Sequence, residues 1–296
     1  MTSNLTRREF VAMAGATLAA TQLRAQIQKG NITAGEVVDR IKKAIVENTG
    51  KPWNDKTFRD TFKVGNPDMP VHGIATSFGG NFRVWNLAEQ AGLNFVIIHE
   101  PTYYSDADVI DWVKDDPMYL WKLDWATKHN MVEWRIHDHW HAHKPDGIQT
   151  GWNNHIGWNQ YLVNGSLTRW KLPPTTLGEL AKYVAKTLNS RSVRVIGDPR
   201  LPVTNVGRGG HLLAQNIAGI QDVDAILVGE AREYDSFEYV RDVVLSDKKK
   251  GAIFISHCAA EDEGSASLPN GSRPWCLKCR SNSSPPPTST GTYRGS

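Results

Sequence analysis

The segment that most restricts this chain is Asn94-Phe95-Val96-Ile97-Ile98, whose last four residues are an unbroken apolar run of β-formers. A run this short and this apolar reads as a strand buried on both faces, which is the situation inside a parallel sheet. What precedes it fits. Val71 to Phe78 has strand character and is closed by Gly79-Gly80, and Arg83 to Gly92 has helical spacing and ends at its glycine. Strand, helix and strand with short joints make a βαβ unit. The pattern continues with a helix over Ser105 to Asn130 and a strand over Val132 to Ile136. After Pro173-Pro174 a second alternation starts. Helices are expected over Thr176 to Leu188, Gly210 to Ile217 and Tyr234 to Leu245, with strands over Val193 to Ile196, Ala225 to Val228 and Gly251 to Ser256. An opening helix falls on residues 31–47, Lys51 to Pro70 is loop-rich, and no internal repeat is visible. The expected class is α/β: two related layers around mostly parallel sheets. A chain of 296 residues supports a core of that size, and no apolar run is long enough for an ordinary membrane span.

Charge sharpens the domain division. The net charge is +3 overall, but residues 1–25 carry +2 and residues 265–296 carry +4, leaving −3 for the body. The basic balance therefore does not indicate nucleic acid, and no nucleic-acid module is visible. Residues 1–25 read as a twin-arginine signal: Arg7-Arg8 stands ahead of an Ala-rich, modestly apolar stretch with the small-residue end Leu23-Arg24-Ala25. This predicts passage through the twin-arginine translocase and a periplasmic or extracellular location. No Cys near the cleavage point suggests a lipid anchor. Residues 26–264 form the expected domain. From Ser265 onward, 16 of 32 residues are Ser, Pro or Gly, a composition unable to bury enough apolar surface to offset its ordering. The Cys276 and Cys279 pair there supplies only two metal ligands. A shifted reading frame explains this tail: Pro269 to Ser284 back-translates, one base earlier, to QWLKTVVPEVPIEFI, an amphipathic helix and a strand. Sequencing the gene tests that expectation.

Metal-capable side chains collect at three expected strand ends, where α/β proteins place their sites. His99-Glu100 follows the first run. His137-Asp138-His139-Trp140-His141-Ala142-His143 follows Val132 to Ile136. His257 and Glu261 follow Ile253 to Ser256, four residues apart and so on one face of a helix starting there. One His after a strand is usually a hydrogen-bonding residue, but more than half of the chain's ten His fall in these clusters. Imidazoles mixed with carboxylates suit two divalent ions, whether zinc, iron, manganese or nickel, and a shared carboxylate can bridge them. Two such ions stabilise the attacking and leaving oxygens of a hydrolysis.

Val71-His72-Gly73-Ile74-Ala75, Asn94 to Ile98 with His99-Glu100-Pro101, Gly229-Glu230-Ala231-Arg232-Glu233-Tyr234-Asp235 and Ile255-Ser256-His257 through Glu261 resemble the motifs of the Nif-three-like proteins. The likeness covers about residues 31–264. It implies a toroidal homohexamer with a dinuclear metal centre, a group often described as type 2 GTP cyclohydrolase I. On that resemblance His99 matches the first metal His, while Glu100 replaces a second His. His141 takes the place of a ligand Asp, with Asp138 as a competing donor beside His137. His257 and Glu261 match the last His and the bridging Glu. The implied activity is metal-dependent hydrolysis of a small molecule; the alternative is a non-catalytic metal-binding or ring-forming assembly protein.

Several weaker signals surround this set. Gly207-Arg208-Gly209-Gly210-His211 lacks the spacing of a phosphate-binding loop, yet Arg208 and His211 can face the substrate, as can Glu230. Asp146 either orients a ligand imidazole or belongs to an ordinary Pro-Asp-Gly turn. His139 and His143 are second-layer or exposed residues. Cys258 is a soft ligand or packs. The Trp-rich stretch from Trp112 to Trp134 reads as core or subunit contact.

Overall fold

The computed structural model describes residues 32–190, 192–246 and 248–267, together with the backbone of 276–278. The leader at 1–25, the first residue of the opening helix and nearly all of the tail lie outside the described residues.

The first half is one α/β/α unit. Helix α1 (Ala34–Thr49) starts at a capping box, in which Thr33 accepts from the Glu36 amide and Glu36 accepts from the Thr33 amide. Strands β1 (Phe62–Val64), β2 (Ile74–Gly79), β3 (Phe95–Glu100) and β4 (Val132–Arg135) follow, with α2 (Phe82–Gln90) between β2 and β3 and α3 (Pro117–Lys128) between β3 and β4. The sheet order is β1-β4-β3-β2-β10, where β10 is Cys276–Lys278; all neighbours are parallel except β1. Period-two alternation fixes the layers. Phe95 and Ile97 pack under Val37, Ile41 and Ile45 of α1, whereas Val96 and Ile98 pack under Trp85 of α2 and Ala126 of α3.

The second half repeats the plan with a more mixed sheet. Its strands are β5 (Arg169–Thr176), β6 (Arg194–Ile196), β7 (Pro202–Arg208), β8 (Ala225–Val228) and β9 (Gly251–Phe254), in the order β5-β7-β8-β9-β6. The central three are parallel and both edge strands antiparallel. Leu227 and Ile253 face α6 (Leu177–Thr187); Ile226, Val228 and Phe254 face α7 (Leu213–Ile220) and α8 (Glu238–Leu245).

Three helices join the halves: α4 (Asp138–Ala142), α5 (Gly147–Ile156) and α9 (His257–Ala266). Ile148 of α5 belongs to the first core, and Trp152 and Ile156 belong to the second. α5 crosses α9 glycine against glycine: a Cβ on Gly151 would lie 2.4 Å from the Gly264 Cα, and one on Gly264 would lie 2.3 Å from the Ile148 Cα. Trp140 Nε1 donates to the Gly264 carbonyl at 3.0 Å and locks α4 onto the same crossing.

The structure corrects several expectations. Only Pro117–Lys128 of the long helix expected over Ser105 to Asn130 is helical, because Asp116 caps the amides of Met118 and Tyr119 and Pro117 starts the helix there. β1 falls in the stretch read as loop. Pro173-Pro174, read as a divider, lies inside β5, where the pairing with β7 shifts register between Lys171 and Thr175. Proline is tolerated at such an irregularity in an edge strand.

Candidate metal centre

Both halves deliver side chains to one point through the carboxyl ends of their parallel strands. His99 and Glu100 end β3, His137 and His141 flank and occupy α4 just past β4, and His257 and Glu261 share one face of α9 just past β9. Ser256 caps α9 through the Ala259 amide, which fixes where that helix begins. All three clusters expected from the sequence are brought together.

The donor atoms form a nearly closed ring. His99 Nε2 lies 3.4 Å from Glu261 Oε2, which is 3.1 Å from His257 Nε2; that nitrogen is 3.5 Å from Glu100 Oε1, itself 3.5 Å from His137 Nε2. Ligand atoms of His99, His137 and His141 lie within 4.8 Å of one another, as do those of His99, Glu100 and Glu261. Despite these short separations, His99 Nε2, His257 Nε2 and Glu261 Oε2 are buried without a hydrogen-bond partner. Close together yet not hydrogen-bonded, these atoms stand as ligands around a cation would.

A second layer directs each imidazole. His99 Nδ1 is 3.0 Å from the Ile136 carbonyl, which can only accept, so Nδ1 carries the proton and Nε2 presents its lone pair. His137 Nδ1 meets Asp138 at 2.9 Å, His141 Nδ1 meets Asp146 at 3.0 Å, and His257 Nδ1 meets Glu230 at 2.9 Å. Between the two donors considered in this segment, His141 therefore joins the ring and Asp138 stands behind His137, also accepting from Thr57 and Arg59. Asp146 meets His141 Nδ1, as one of its two expected roles required, and in place of an ordinary turn it caps α5 through the Gln149 amide.

Electrostatics call for positive charge here. Burial opposes ionisation of Glu261, yet His257 and His99 hold its carboxyl well below the usual carboxylate range. Burial likewise opposes the His257 imidazolium, but Glu261, Glu100 and Glu230 push it up to about 9. Burial lowers His99, keeping that ring neutral. Glu100 is anchored from behind by the fully buried Arg135, whose Nη2 donates to Oε2 at 3.0 Å. Arg135 was not among the residues expected at the site, since its role depends on a cross-strand position that spacing does not reveal.

The remaining candidates line the surroundings. Arg208 is committed: it donates to Gln149 and to the Ala260 carbonyl at 2.8 Å each and lies over the Trp152 ring. His211 stacks on His257 at 5.0 Å and borders two cavities, one of about 670 Å³ beside Glu100 and His257 and one of about 390 Å³ beside His141 and Arg208. Cys258 lines the larger one. His139 is held between Asp60 and the Asn54 amide and stacks on Trp53 at 3.5 Å, so it builds the α4 turn. His143 meets the Pro145 carbonyl on the surface.

No protein-family profile matches the chain, and no curated protein matches it. Solved structures do. The Bacillus cereus protein related to NIF3 superposes with a TM-score of 0.59 at 12% identity, over 80% of this chain and 92% of its own. Protein ybgI, of unknown function, gives 0.58 at 17% identity over 80% and 92%. TTHA1606 from Thermus thermophilus gives 0.54 at 14% identity over 80% and 91%. The chain has the mixed α/β fold of these three proteins.

Proposed function

We propose that this protein is an exported member of the Nif-three-like family that holds two divalent ions and hydrolyses a small molecule. The observation that carries the reading is the convergence of three buried, unpartnered ligand atoms, on His99, His257 and Glu261, from both halves of the fold. His99, His137 and His141 would hold one ion, and Glu100, Glu261 and His257 the other, with Glu261 between His99 and His257. Divalent ions in such a cluster act as Lewis acids and make water nucleophilic at neutral pH. The chain's own part is orientation. Ile136, Asp138, Asp146 and Glu230 fix the ring tautomers, and Arg135 holds Glu100 on its cross-strand side. Glu230 accepts from His257 Nδ1 and so leaves Nε2 for the ion, and both residues border the larger cavity through which a small molecule would reach the centre. The cyclohydrolase assignment and the ring of six subunits rest on the resemblance of motifs, and the twin-arginine route rests on Arg7-Arg8 and the Ala-rich stretch that follows.

Elemental analysis of the purified full chain tests the centre. About two ions per chain, lost in His99→Ala and Glu261→Ala, are expected; less than one ion in folded protein rejects it. Turnover of phosphoesters, cyclic amides or nucleotides by the loaded protein separates an enzyme from a metal-binding assembly protein. Light scattering and periplasmic fractionation test the hexamer and export.

A further inference from the structure

The larger cavity has a second wall that the metal centre does not use. Facing Glu100, His137 and His257 across about 670 Å³ stand Phe82, Tyr104, Met118 and Trp121. Phe82 and Trp121 are tilted at 58° with ring centroids 4.5 Å apart, and Trp125 braces Phe82 edge-on from behind at 5.1 Å. Trp121, Tyr104 and Met118 are nevertheless 44%, 58% and 55% exposed. A packed aromatic pair with further apolar side chains beside it, lining one cavity with a polar cluster, is the ordinary make-up of a small-molecule site. The lysine and the arginine of this lining are already committed. Lys122 donates to the Gly80 and Thr102 carbonyls at 2.5 and 2.7 Å, and Arg59 is paired with Asp106 and Asp138. Neither is available to neutralise a polyphosphate, so among the described residues the wall favours a ring over a highly charged chain.

We infer that this wall is a ring-binding subsite and that the substrate is a compact planar aromatic molecule with an oxygen-donor head group. The ring lies against Trp121, Phe82 and Tyr104, whose π faces and edges accommodate another aromatic in offset or edge-on geometry, with the Met118 thioether alongside. The head group points to Glu100, His137 and His257. The head-group half rests on the metal reading above; the ring half does not.

The test uses the full chain and two matched pairs of probes in ligand-observed NMR titrations: benzyl alcohol against cyclohexylmethanol, and benzoate against cyclohexanecarboxylate. The aromatic member of each pair is expected to bind about five- to tenfold tighter, the scale of a ring–ring contact beyond simple burial. Trp121→Ala is expected to bring each pair to parity and Trp121→Phe to restore most of the preference, with metal content unchanged in both. Phe82→Leu provides the same loss from a different element should Trp121→Ala fail to fold. Equal binding within the pairs, or a preference that survives both substitutions, overturns the subsite. In ion-loaded protein benzoate should bind tighter than benzyl alcohol, and a chelator should erase that gap. An aromatic preference without the gap upholds the ring subsite and rejects the head-group orientation, and absence of ions altogether would be seen separately by elemental analysis.

Discussion

The α5–α9 crossing gives a sharp prediction. In Gly264→Ala the new methyl would meet the Ile148 Cα, O and C at 2.3, 2.6 and 2.9 Å, all backbone atoms that no rotamer change can move. Overpacking costs about 1–3 kcal/mol, and a clash wholly against backbone belongs at the upper end, near 3 kcal/mol. For a body of this size that is a fall in Tm of about 6–12 °C. The more telling effect is on binding. Relief of the clash must push α9 away from α5, and α9 carries His257 and Glu261; the 3.4 Å approach of Glu261 to His99 would open. Gly264→Ala should therefore lose metal affinity together with stability. Gly50→Ala is the control, since its φ of 67° disfavours a side chain but nothing lies within 4 Å of the new methyl. It should cost about 1 kcal/mol and leave metal binding untouched. Thermal melts with and without chelator, together with a zinc titration of each variant, read both quantities. A Gly264→Ala protein melting within about 2 °C of the parent with unchanged zinc affinity would refute the argument.

Other expectations follow from the same geometry. Asp146→Asn should weaken metal binding by about 10–100-fold through His141 without unfolding the protein, as measured by competition with a chromophoric chelator. Because an ion must displace the proton that His257 holds up to about 9, apparent affinity should climb roughly tenfold per pH unit toward that value and then level off. The sign is that of a raised pKa: in ion-free protein the contribution of His257 to stability is complete below its ordinary value and disappears as pH rises through about 9, so chelated protein should melt lower at high pH. Lys122→Met should cost about 1–3 kcal/mol, because the Gly80 and Thr102 carbonyls lose the buried ammonium that donates to both; a urea midpoint equal to the parent's would contradict this.

The sequence was legible where local pattern and burial agreed. The apolar run ending at Ile98 and the helix ending at Gly92 gave the βαβ unit directly, and the histidine clusters fell at true strand ends. It was opaque where tertiary pairing decided. Nothing local marks 202–208 as a strand; Val203 and Val206 become buried only through pairing with β5 and β8. The helices α4 and α5 draw seven of their fifteen residues from His, Asn and Gly, poor helix formers, and are held by Asp60 and Asp146, which accept from their first amides. The site shows the same split. The ring of donors could be nominated by clustering, but Arg135 behind Glu100, and the contact of Glu230 with His257 Nδ1, are visible only once β-strands from different parts of the chain lie side by side.

The donors are divided between the two sheets, with His99, Glu100, His137 and His141 from one and His257 and Glu261 from the other. An ion bound among them is a clasp, and its binding free energy is at the same time docking free energy between the halves. Each half has its own core, so stripping the ions should first loosen the seam and only later melt either unit. Occupancy of the centre would then report on assembly: a tightly held ion certifies that both halves have folded and met.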